Sequence, residues 1–96
     1  MSITVDFYKK TESICPSCNR MDIVLKSWIK KHPEHEVQVN YLSAEEHLER
    51  LMEMGVREAP AVLIRHGDND EWTMVSGNNP DVMVDVLNDD EDLWVL

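Results

Sequence analysis

The sequence predicts an α/β fold: a four-stranded mixed sheet with three helices, in the order β-α-β-α-β-β-α. Three observations predict it. Residues 2–8 and the alternating Val37, Val39 and Tyr41 read as strands, and between them Pro16 to about Lys31 carries apolar residues at helical spacing. A strand–helix–strand opening makes a right-handed crossover between two parallel strands. Further on, two short apolar stretches flank Gly67-Asp68-Asn69-Asp70, a turn that makes them a hairpin and adds antiparallel strands, with helices on both faces of the sheet.

The elements follow in order. Ser2 to Tyr8 is rich in β-branched and aromatic residues, as a strand requires. Met21, Val24, Leu25, Trp28 and Ile29 form the apolar stripe of the first helix, and His32-Pro33 ends it because a proline pushes its predecessor out of the helical region. Ser43-Ala44-Glu45-Glu46 has the pattern of a capping box, which predicts a second helix with Leu48, Leu51 and Met52 on its apolar face and Gly55 as its left-handed terminator. Ala61 to Ile64 and Glu71 to Val75 are the hairpin strands. Asn79-Pro80 pairs an N-cap residue with proline at the first helical position, and Val82, Met83, Val86 and Leu87 then mark an inner helical face. With no internal repeat, low-complexity segment or linker, residues 1–96 read as a single domain.

Composition narrows the function classes. The chain is 43% apolar and 29% charged, with a net charge of −10 from 19 acids against nine Lys and Arg. Such a surface opposes binding to a phosphate backbone, so nucleic acid is not an expected partner. No stretch is long and apolar enough to span a membrane, and Met1 to Asp6 lacks the basic-then-apolar pattern of a secretory signal. The expected location is therefore a reducing cytoplasm, and the expected state a monomer. The acidic run Asn88-Asp89-Asp90-Glu91-Asp92 reads as a solvated helix end or tail, and the apolar Leu93-Trp94-Val95-Leu96 either packs back on the body or contacts a partner.

The thiols are Cys15 and Cys18 alone, in Cys15-Pro16-Ser17-Cys18. Two cysteines are too few for a disulfide scaffold, which leaves catalysis or metal binding as the readings of a C-x-x-C pair. Cys15 falls where a loop becomes the first helix, and the unpaired N–H groups and dipole there favour a thiolate, the nucleophilic form of the thiol. Pro16 suits the first turn, which needs no backbone donor from it. Cys18, one turn along, is placed to attack a mixed disulfide on Cys15, so Cys15 is the attacking and Cys18 the resolving thiol.

Three other readings compete. Two merely structural thiols leave the strand–C-x-x-C–helix placement unexplained. The series Cys15-x2-Cys18-x13-His32-x2-His35 approaches a zinc-finger spacing, but its histidines are too close and Pro33 breaks the helix that should present them. An iron–sulfur cluster needs two further ligands from elsewhere. No metal is therefore assigned. Pro60 stands where a loop enters the third strand, a position that an ordinary turn also explains. Asp6, between Val5 and Phe7, is either a desolvated functional carboxylate in a covered strand or a residue on an exposed strand face.

Cys15-Pro16-Ser17-Cys18 after a first strand, Pro60 opening the third, and Ser76-Gly77 before the last helix together resemble the glutaredoxin branch of the thioredoxin superfamily, over the whole chain. Within that branch, Gly55 to Val62 and Ser76-Gly77-Asn78-Asn79-Pro80-Asp81 look most similar to the glutaredoxin-like hydrogen donors of ribonucleotide reductase, the NrdH-redoxins. Small phage-encoded redoxins are similar as well, so a phage origin stands beside a cellular one. The resemblance implies a cis Pro60, a target polypeptide paired with the backbone at Ala59 by strand addition, and substrate contact at Gly77. It implies a redox-active Cys15–Cys18 disulfide with no tightly bound cofactor, reducing protein disulfides and reset by thioredoxin reductase with NADPH or by glutathione.

Departures from the family bear on the donor. Glutathione-using members have a lysine shortly before the first cysteine and a Gly-Gly turn followed by aspartate; here Glu12 stands before Cys15, and Gly77 is followed by Asn78 and Asn79. Glu12 repels both a thiolate and the carboxylates of glutathione, which favours thioredoxin reductase. Val5-Asp6-Phe7-Tyr8 looks like the thioredoxin strand whose aspartate lies beneath the resolving cysteine, which would make Asp6 the acceptor of the Cys18 proton. The rival function is a redoxin fold used as a binding or regulatory subunit.

Overall fold

A computed structural model of the chain describes residues 2–67 and 70–88. Its elements are β1 (Ser2–Lys9), α1 (Pro16–Lys31), β2 (Glu36–Ser43), α2 (Leu48–Glu53), β3 (Ala61–His66), β4 (Thr73–Ser76) and α3 (Pro80–Leu87). The sheet runs β2-β1-β3-β4: β1 lies parallel to β2 and antiparallel to β3, and β4 is antiparallel to β3. This is the α/β architecture that the sequence predicts.

Alternation along β1 divides the core. Ile3, Val5 and Phe7 turn to one face, where they pack with Met21, Leu25 and Trp28 of α1, Val62 and Ile64 of β3, Val75 of β4, and Met83 and Leu87 of α3. Each such fully buried side chain contributes about 1.5–3 kcal/mol relative to exposure. A smaller cluster on the opposite face gathers Tyr8, Ala44, Leu51, Val56, Ala61 and Leu63 beneath α2. Helices α1 and α3 thus cover one face and α2 the other.

The structure departs from the sequence expectation at several element ends and faces. Helix α2 begins at Leu48, after turns over residues 44–47, although the Ser43 hydroxyl does accept the Glu46 N–H at 3.3 Å. In so short a helix Leu51 alone is buried, and Leu48 and Met52 face solvent. Strand β4 starts at Thr73 rather than Glu71. Asn79 is the N-cap residue of α3, but its amide donates to the Ser76 carbonyl at 2.7 Å and caps nothing. On α3 itself, Met83 and Leu87 define the inward line at i, i+4; Val82, one residue round, is exposed, while Val86 packs at the margin of the core. The hairpin tip at Asp68 and Asn69, and the acidic and apolar segment from Asp89 to Leu96, lie outside the described residues.

Candidate active site

Strand register brings the loops that carry Cys15, Ala59, Pro60 and Gly77 to one end of the sheet. Tyr8 pairs with Ala61, and Ala61 with Ser76, so the end of β1, the start of β3 and the end of β4 are neighbours. The loop to Cys15 leaves from that end of β1, Ala59 and Pro60 enter β3 there, and Gly77 follows β4 there. The Ala59–Pro60 peptide bond is cis. The Gly77 N–H donates to the Pro60 carbonyl at 2.7 Å, which ties the two loops together. Gly77 adopts φ 72°, a left-handed conformation that costs glycine little.

Cys15 is the N-cap of α1, with extended backbone at φ −131° and ψ 90°, and Pro16 occupies the first turn. Its Sγ accepts the Cys18 backbone N–H at 3.2 Å, the bond that a capping side chain makes to an otherwise unpaired donor. A disulfide joins Cys15 to Cys18 across this first turn, with the Cα atoms 5.2 Å apart. No acidic residue lies in that turn, so nothing there opposes a negative sulfur at the positive end of the helix dipole. Cys18 is 2% exposed, on the buried stripe with Met21, Leu25 and Trp28, and Cys15 is 8% exposed. Ser17 is half-buried and Pro16 exposed, while Ile14, immediately before the pair, is 89% exposed.

The loop before Cys15 is held by Glu45, a residue whose local pattern points only to helix capping. The Glu45 carboxylate accepts the Thr11 N–H at 3.0 Å, the Thr11 hydroxyl at 3.2 Å, the Glu12 N–H at 3.2 Å and the Ser43 hydroxyl at 3.2 Å. These bonds, that from the Thr11 N–H foremost, hold its pKa down at about 2. No local pattern discloses a partner 34 positions away. Beside this clasp a cavity of about 310 Å³ opens, with Leu48, Leu51, Val56 and Ala59 as apolar walls and Lys10 and Arg57 among its charged ones.

The fold also places two further residues that the sequence singles out, Asp6 and His32. Asp6 lies on the sheet face of Tyr8 and Leu63, opposite the face that α1 covers, and is half-buried. Its carboxylate accepts from Asn40 Nδ2 at 2.9 Å. Strand alternation thus turns Asp6 to the face opposite the one that Val5 and Phe7 present to α1, with Asn40 as its hydrogen-bond partner. His32 caps the far end of the 16-residue α1, about 24 Å from Cys15 at 1.5 Å per residue, too far to share a metal ion with the cysteines. There His32 and His35 stack on the Trp28 ring, at 4.1 and 5.5 Å between centroids.

Neither a family model nor a curated protein matches the sequence. Solved structures do match its fold. Mitochondrial thioredoxin 3 from Saccharomyces cerevisiae, in its oxidised form, superposes with a TM-score of 0.67 at 20% identity, over 91% of this chain and 77% of that one. Thioredoxin from Trypanosoma brucei brucei matches with a TM-score of 0.65 at 19% identity, over 91% and 73% of the two chains. Fasciola hepatica thioredoxin gives 0.66 at 17% identity, over 92% and 80%. By strand order, helix placement and these likenesses, the chain has the thioredoxin fold, with a Cys-x-x-Cys disulfide at the start of its first helix.

Proposed function

We propose that this chain is a small dithiol–disulfide oxidoreductase that reduces protein disulfides. The observation that carries the reading is the Cys15–Cys18 disulfide spanning the first turn of α1, with Cys15 at the capping position. In the reduced protein the Cys15 thiolate attacks a target disulfide, forms a mixed disulfide and releases the first target thiolate. Cys18 then attacks the Cys15 sulfur, releases the second target thiolate and closes the Cys15–Cys18 bond. Two electrons and two protons pass from redoxin to target.

The remaining roles follow the sequence resemblance. The target strand pairs with the backbone at Ala59, between Pro60 and the disulfide, and reaches the ledge at Gly77. Pro16 and Ser17 keep the thiol pair at one helical turn. The proposed setting is the cytoplasm, the acting unit a monomeric single domain, the target ribonucleotide reductase, and the electron source NADPH through thioredoxin reductase. Glu12, exposed in the loop before Cys15, supports that source over glutathione.

NADPH oxidation followed side by side with thioredoxin reductase, and with glutathione plus glutathione reductase, tests the reading. Turnover with thioredoxin reductase is the expected result. Turnover with glutathione alone overturns the donor assignment, and turnover with neither overturns the oxidoreductase itself.

A further inference from the structure

Glu58 precedes Ala59 and Pro60, and its carboxylate lies over the Gly77 turn. A Cβ added to Gly77 would stand 2.6 Å from Glu58 Oε1, so a carboxylate oxygen rests directly against the glycine backbone. Gly77 is in turn bound to the Pro60 carbonyl through its N–H. The negative charge therefore sits on the ledge that Ala59, Pro60 and Gly77 form at the disulfide end of the sheet. Glu58 is solvent-exposed, and among the described residues no cation pairs with it: the lysine ion pair joins Lys26 to Asp22, and the histidine one joins His35 to Glu34. Lys10 and Arg57 line the adjoining cavity without pairing to it. Glu12, exposed, adds a second carboxylate in the loop before Cys15.

Building on the oxidoreductase reading, we infer that Glu58 is a specificity-determining residue, selecting targets with a cationic group beside the reactive disulfide and disfavouring anionic ones. A ligand lying along Ala59 must pass the Glu58 carboxylate. Its own charge nearest the disulfide is then attracted or repelled before any covalent step begins. The net charge of −10 acts in the same direction at longer range. Glutathione, with two carboxylates and one ammonium, belongs to the disfavoured class. A polypeptide with lysine or arginine next to its disulfide belongs to the favoured one.

Two small disulfides of opposite charge separate this effect from the chemistry. Protein reduced with dithiothreitol and freed of it is mixed with cystamine, whose ends are ammonium groups, or with dithiodiglycolate, whose ends are carboxylates. Each exchange oxidises the Cys15–Cys18 dithiol to its disulfide and releases two small thiols. The ratio of the two rates in low salt should fall at least about threefold in Glu58→Gln and by about the square of that factor in Glu58→Lys, since reversing the charge doubles the change that neutralising it makes. At about 1 M salt, where charges are screened beyond about 3 Å, the three proteins should converge. The same ratio in all three proteins at low salt overturns the inference and leaves the oxidoreductase reading standing. Exchange that is absent in the wild type, or unchanged by Cys15→Ser, overturns both.

Discussion

The carboxylate of Glu45 grips Thr11 twice, accepting its backbone N–H at 3.0 Å and its hydroxyl at 3.2 Å across 34 residues of sequence. With Glu12 and Ser43 on the same carboxylate, one acidic side chain closes the loop leading to Cys15 onto the end of β2. The grip depends on charge, because an ionised carboxylate accepts at both oxygens.

This gives the clasp a pH signature. The Glu45 pKa is lowered from 4.5 to about 2 in the folded chain, so its contribution to stability is fully present above about pH 4.5 and is lost as pH falls through 2. The difference in urea midpoint between wild type and Glu45→Gln should therefore be constant near neutrality and shrink between about pH 4.5 and 2. A difference that persists unchanged at the acid end contradicts the clasp.

Tyr41 carries a second titration, of opposite sense. Burial and the hydroxyl's 2.6 Å bond to Asp22 raise its pKa from 10.0 to about 12. A folded pKa above the unfolded one stabilises the chain below about pH 10, and that gain disappears as pH rises toward 12. Ultraviolet titration of the phenol should place Tyr41 near 12 in the wild type and lower in Asp22→Asn. Coincident curves contradict the bond.

Packing predicts a sharp contrast between helix faces. Leu25→Ala removes a fully buried side chain from the α1 face of the core and should cost about 2–5 kcal/mol in urea unfolding. Leu48→Ala and Val82→Ala, at 58% and 49% exposure, should stay within about 0.5 kcal/mol. Equal losses at Leu25 and Leu48 would contradict the exposure of Leu48.

At Gly77 the conformational cost dominates. Gly77→Ala forces a Cβ into a left-handed conformation, worth about 1–2 kcal/mol, while the Glu58 carboxylate, the far end of an exposed flexible side chain, swings clear at little cost. Glu58→Ala should therefore leave the cost of Gly77→Ala in urea unfolding nearly unchanged. A loss well below about 1 kcal/mol in Gly77→Ala would contradict the left-handed backbone at this position.

How much of this is legible in the sequence follows from the range of the signals. The start of α1 is local chemistry: loop, cysteine, proline and helical stripe are consecutive, so the attacking position is readable. The parallel pairing of β1 with β2 is readable because a strand–helix–strand opening favours one handed crossover, whereas the place of β3 beside β1 has no local signal. Glu45 is not, because Ser43-Ala44-Glu45-Glu46 matches a capping pattern in which one acid is taken by Thr11, a tertiary partner. Asp6 stays ambiguous because alternation tells which residues share a face, and the placement of α1 on the Val5 and Phe7 face is needed to settle which helix that face meets. Glu58 takes its meaning from Gly77, which only the folding of β3 onto β4 brings near.

Cys15 is the residue on which the proposed chemistry turns, and one assay reaches it directly. Reduction of insulin disulfides with dithiothreitol as electron source should be catalysed by the wild-type chain and fall to the uncatalysed background in Cys15→Ser. Turnover by Cys15→Ser at the wild-type rate would contradict that role.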